Sequence, residues 1–150
     1  MYYNTYHLVV LKTKLLFAAM ASPVAFSAYA SVTTGYDDGA IVQFDSVVTN
    51  IGNNYNSDLS VFQCPSDGTY LFSVSFLSGE TTAMEGSIVK DGSELLSSRA
   101  DNDNDVQSSV VAVTECLASQ TVWVECVGDN RELIGTNMSS FSGILVTAYA

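Results

Sequence analysis

Asp101, Asp103 and Asp105 alternate along the stretch DNDND, and three carboxylates at that spacing are the chain's clearest offer of chemistry. Crowded carboxylate oxygens hold hard cations such as calcium, and an EF-hand loop opens with aspartates placed in this way. Val106 stands where such a loop requires glycine, and Ala112 where it requires glutamate, so the stretch is not an EF-hand. Calcium is still the one cofactor the sequence suggests, with Asp101, Asp103 and Asp105 as candidate ligands, set against an ordinary solvated acidic turn. The same carboxylates make poor catalysts, because a polar loop gives no sheltered pocket in which an acid and a base can be told apart. The sole histidine, His7, falls in the N-terminal segment. Without it there is no Ser–His or Cys–His pair, and a non-catalytic protein is expected.

Three cysteines, Cys64, Cys116 and Cys126, admit one disulfide with one free thiol or three buried thiols, and spacing does not choose between them. No CxxC and no Cys–His cluster is present, which argues against zinc. The triplet Asn137-Met138-Ser139 is a glycosylation sequon, with Asn137 as the acceptor in a secreting host that glycosylates.

The elements that must carry these residues are strands. Tyr70, Phe72, Val74 and Phe76 alternate with Ser73 and Ser75, and Val61-Phe62, Val110 to Val113, Val122 to Val124 and Phe141 to Val146 form further short apolar runs. Between them, PSDG at 65–68 and KDG at 90–92 place Asp-Gly where a tight turn needs positive φ, and DNDND reads as a loop. Short strands at this spacing, with 10 glycines and two prolines, predict an all-β sandwich or barrel. Phe26, Phe44, Tyr70, Phe72, Phe76, Trp123 and Phe141 are the large side chains from which its core, or the contact between copies, is built. Gly143, inside the last strand, indicates close approach by a neighbouring backbone, or else a bulge. TNIGNNYN at 49–56 reads as a long connection between strands.

A hydrophobic content of 47 % with 14 % charge in 150 residues is that of one packed domain. Sixteen acidic residues face five basic ones, and two of the five, Lys12 and Lys14, lie near the N-terminus. Without that segment the balance is 3 against 16, a net of −13 (3 − 16). Such a surface repels phosphate backbones, so neither nucleic acid nor an anionic membrane is an expected partner. Lys12 and Lys14 also interrupt the only candidate for a spanning helix, so no membrane insertion is expected.

Residues 1–21 read as a secretory leader, with two small-x-small cleavage triplets, Ala19-Met20-Ala21 and Ala28-Tyr29-Ala30. The apolar run Leu15 to Phe26 favours the later site by length. Yet residues 24–29 also alternate as a strand, Val24, Phe26 and Ala28 on one face and Ala25, Ser27 and Tyr29 on the other.

Four segments in order, VAFSAYAS (24–31), VQFDSVVTNIGNNY (42–55), VFQCPSDGTYLFSVSF (61–76) and SSFSGILV (139–146), with TVWVE (121–125) before the last, resemble the globular head of complement C1q. The resemblance covers residues 24–149 and implies the ten-strand jelly roll of the tumour-necrosis-factor-like superfamily, assembled as a homotrimer. No Gly-X-Y run is present, so the collagen-like stalk of some relatives is not expected. In that family the AFSA segment is the first strand and runs beside the last, so cleavage is placed after Ala21, leaving a domain of residues 22–150. Some members hold calcium through loop acids, which permits a site at Asp101–Asp105 without assigning it. The resemblance implies a secreted, extracellular, lectin-like recognition protein of innate immunity that binds microbial carbohydrate or surface patterns. The alternative is a cytokine-like or matrix trimer that engages host receptors or other secreted proteins.

Overall fold

Alternation of large and small side chains along Gly68–Leu77 buries every second residue and produces β6, a central strand of a two-layer sandwich. The computed structural model describes residues 22–102 and 106–149, and the leader assigned to residues 1–21 lies outside the described residues. The first sheet has the order β3 (Ser46–Ile51), β1 (Ala25–Tyr29), β12 (Ser140–Ala148), β6, β9 (Gln107–Cys116). The second has the order β4 (Tyr55–Asn56), β5 (Val61–Gln63), β10 (Thr121–Cys126), β7 (Met84–Lys90), β8 (Ser93–Ala100). All pairings within these sheets are antiparallel. These ten strands are the expected jelly roll; a small third sheet pairs β2 (Thr34–Tyr36) with β11 (Arg131–Leu133). As the resemblance implies, β1 lies beside β12, with Phe26 opposite Gly143 and Ala28 opposite Phe141.

Between the sheets is an aromatic core. Phe26 stacks on Tyr55 at 4.5 Å between ring centroids and on Phe62 at 4.9 Å, and meets Phe141 edge-on at 4.9 Å. Phe44, Tyr70, Phe72 and Phe76 are fully buried around them. Gly143 is what gives these rings room. A methyl group there would lie 2.5 Å from a carbon of Phe26 and 2.7 Å from one of Phe72, so aromatic side chains, rather than a neighbouring backbone or a bulge, require the glycine.

Of the two roles expected of Trp123, core or contact between copies, the pleat rules out the core. Val122, Val124 and Cys126 of β10 point inward and are buried, so Trp123 lies on the outer face, flanked by Val61 and Val89, and its indole N–H donates to Glu125 Oε2 at 3.2 Å. Of the two Asp-Gly turns, one forms as expected: Asp91 (φ 47°) and Gly92 (φ 79°) close the β7–β8 hairpin in the left-handed region. Gly68 instead opens β6, opposite Ala148, because backbone of β12 stands where its side chain would be.

Cys64, just after β5, is disulfide-bonded to Cys116, the last residue of β9, and so ties the second sheet to the first. Cys126 is a buried free thiol. No helix of the described residues is long and apolar enough to cross a membrane.

Candidate functional site

Aspartates dominate the loops, and most of those that make contacts act on backbone. Asp38 accepts from Gly128 N at 2.6 Å, Asp67 from Ala118 N at 2.7 Å, Asp91 from Thr121 N at 2.8 Å and Asp45 from Ser31 N at 2.9 Å. Each carboxylate satisfies an N–H that a loop would otherwise leave to water. Hydrogen bonds from Ser31 hold the Asp45 carboxyl below its ordinary range, and the bond from Thr121 N does the same for Asp91. Much of the acidic surface is thus loop architecture.

Of the three candidate calcium ligands, Asp101 is described, and its carboxylate already has a cation: Arg99 Nε lies 2.8 Å from Asp101 Oδ1. The same guanidinium reaches Glu85 at 3.0 Å, and Glu85 also faces Arg131 at 3.7 Å. Asp103 and Asp105 lie outside the described residues. Among the described residues no three Asp, Glu, Cys or His side chains converge as a metal site would require. Asn137 is exposed on a turn at φ 64°, whereas the hydroxyl of its sequon partner Ser139 is buried, accepting from Leu77 N at 3.0 Å and donating to Ile134 O at 2.8 Å.

Burial sets two other titratable groups. It pushes the Cys126 thiol up to about 11 and the Tyr55 phenol up to about 12, and the Tyr55 hydroxyl donates to Phe44 O at 2.8 Å. A thiol so far from ionisation is a packing group and no nucleophile.

Two surfaces stand out beyond the loops. The outer face of the first sheet carries a continuous apolar row, Ile51, Ala25, Ile144, Leu71 and Val113, one residue from each strand in register. The neighbouring row is Thr49, Ser27, Ser142, Ser73 and Val111, with Ser142 donating to Ser27 at 2.9 Å. Val113 is 64 % and Ile144 48 % exposed, which is unusual for a strand centre in a lone sandwich. A shallow apolar hollow of about 270 Å³ sits between Ala25, Leu71 and Ile144.

The second surface is a groove of about 540 Å³ at the β4 edge of the second sheet, bordered by Asn53, Asn54, Asn56, Ser57, Gln63 and Thr121, with Leu59 and Val61 beside them. The segment 49–56, expected to be only a connection, in fact crosses between the sheets. Asn50 clamps it, donating to Tyr55 O at 2.9 Å and accepting from Tyr55 N at 3.2 Å. Sequence reading missed this groove because its walls come from residues 53–63 and from Thr121, and only the β5–β10 register brings them together.

A family model for the C1q domain matches residues 25–146. Among solved structures, the globular domain of zebrafish complement 1qA protein is similar over 84 % of this chain and 99 % of its own, at 20 % identity and a TM-score of 0.70. Murine APRIL is similar over 83 % and 99 %, at 14 % identity and a TM-score of 0.67. Eiger TNF of S. frugiperda is similar over 87 % and 96 %, at 9 % identity and a TM-score of 0.73. At such identities these likenesses establish the jelly-roll fold.

Proposed function

Because this chain belongs to the C1q-domain family, we propose that it is a secreted, non-catalytic homotrimer that binds microbial carbohydrate or surface patterns in innate immunity. The observation that carries the reading is the apolar row across the first sheet, in a domain of this family: it needs a covering surface, and a trimer of the jelly roll supplies one while leaving the second sheet and the loops free to bind. The leader is residues 1–21 and the mature domain begins at Ser22. Asn137, exposed on its turn, accepts a glycan in a host that glycosylates secreted proteins.

Calcium at Asp101, Asp103 and Asp105 is part of the same proposal, and the ion has to compete with Arg99 for Asp101. Chelator should lower the melting temperature of the parent and calcium restore it by mass action, with no such response after all three are changed to Asn. Identical melting of parent and variant with and without calcium ends the calcium assignment.

The recognition reading is tested by displaying glycans and fixed bacteria to the secreted protein. Saturable binding that free saccharide competes away supports it. Saturable binding to host cells that no glycan competes with overturns it in favour of a cytokine-like or matrix trimer.

A further inference from the structure

We propose that the groove at the β4 edge is a binding site for an uncharged saccharide, an inference that rests on the carbohydrate reading above and gives it a place. The lining is selective in its chemistry. In a chain of net charge −11, none of the side chains bordering this groove is charged. Two carboxylates neighbour lining residues without bordering the groove themselves: Asp58, between Ser57 and Leu59, and Asp91, which is occupied with Thr121, accepting from its N at 2.8 Å and its hydroxyl at 3.0 Å.

What remains is amide and hydroxyl capacity without a protein partner. Asn53 is exposed and its side chain makes no hydrogen bond among the described residues. Asn56, exposed, spends its oxygen on Asp58 N at 3.0 Å and Leu59 N at 3.1 Å, and its two N–H donors have no hydrogen-bond partner among the described residues. Gln63 reaches Ser119 O only at 3.4 Å. A carboxamide offers donors and an acceptor within one small group, the combination that adjacent hydroxyls of a sugar ring require. Leu59, 61 % exposed, and Val61 supply an apolar surface for the C–H face of the same ring.

The site is also held in place. Its floor is Tyr55, buried, stacked on Phe26 and pinned by Asn50, so the amides project from core-anchored backbone. With no Lys or Arg in the lining and an acidic protein around it, sialylated, uronic or sulfated sugars have no counter-charge here. The groove is bordered by the second sheet and the β3–β4 turn, and none of its lining residues belongs to the apolar row that a second and third copy would cover.

The test is a microarray of neutral glycans beside their sialylated and sulfated counterparts, probed with the secreted full-length product and with Asn53→Asp, Gln63→Glu and the double variant. Both changes are isosteric and at exposed positions, and each removes N–H donors and adds a negative charge. Unchanged melting temperatures check that the fold is retained, and either single variant can replace the double one. The parent should bind neutral glycans, and the double variant should lose about tenfold or more in affinity, as the removal of two hydrogen bonds requires. Equal binding by parent and double variant overturns the groove while leaving carbohydrate recognition in place, as does a parent that binds acidic glycans alone. A parent that binds no glycan overturns the carbohydrate reading and the groove with it.

Discussion

Phe72 and Trp123 are comparable rings in central strands, yet the pleat gives them opposite surroundings. Phe72 is fully buried and stacks with Tyr70 at 6.0 Å, so Phe72→Ala should cost about 3–5 kcal/mol, a cavity no neighbour can fill. Trp123→Ala should cost under about 2 kcal/mol, the area contribution of a ring covered on one side. Urea unfolding of the two variants compares these directly, and equal losses would mean that the outer face is packed as tightly as the core. Cys126 gives a second residue-scale test. With its thiol pushed up to about 11, it should resist iodoacetamide at pH 8 in the native protein and react once per chain in denaturant, Cys64 and Cys116 staying oxidised. The aspartates predict the acid side. Asp45 and Asp91 sit below the ordinary 3.8 when folded, so they bind fewer protons in the native state than in the unfolded one. Their contribution is present above pH 4 and is lost as pH falls through their lowered values, so the melting temperature should decline below about pH 4. Replacing both by Asn should flatten that decline.

At the scale of strands, the alternation of Tyr70, Phe72, Val74 and Phe76 and the Asp91-Gly92 turn were readable, because each is a local pattern with a local physical cause. The β8 segment SELLSSRA was not, since most of its residues face solvent on an edge and neither period shows. The Cys64–Cys116 pairing was equally out of reach: it depends on the ends of β5 and β9 meeting, 52 residues apart in the chain. A loop of that length implies about 4 kcal/mol of stabilisation through the unfolded state, so reductant alone should lower the melting temperature. The first strand bears on processing. β1 lies between β3 and β12 and contributes Phe26 to the aromatic core, so removal of residues 22–30 would leave β12 with an unpaired edge and the core without a ring. Mass spectrometry of the secreted protein should therefore find Ser22 at the N-terminus, and a folded mature form beginning at Ser31 would refute the leader assignment.

For the whole molecule the decisive feature is the asymmetry between the outer faces of its sheets. The outer face of the second sheet carries Trp123, Glu125 and Glu85, each partly covered by its neighbours and two of the three charged, as the outer surface of a sandwich ordinarily does. The first shows Ile51, Ala25, Ile144, Leu71 and Val113 in one register row, beside a row of four hydroxyl side chains ending in Val111, whose small serines let another backbone approach closely. A face of that kind gains from burial at about 25 cal/mol for each Å² removed from water, and three copies around an axis bury it without leaving an open end that could propagate. The domain of residues 22–150 should therefore be a trimer in light scattering at micromolar concentration, with a melting temperature that rises with concentration. Ile144→Asp places a carboxylate in the centre of the row, where its desolvation on assembly is uncompensated, yet the position is half-exposed in a single copy and tolerates the change there. That variant should be a folded monomer whose melting no longer depends on concentration. A parent chain that is already a stable monomer under these conditions refutes the assembly, and the apolar row must then serve a different partner.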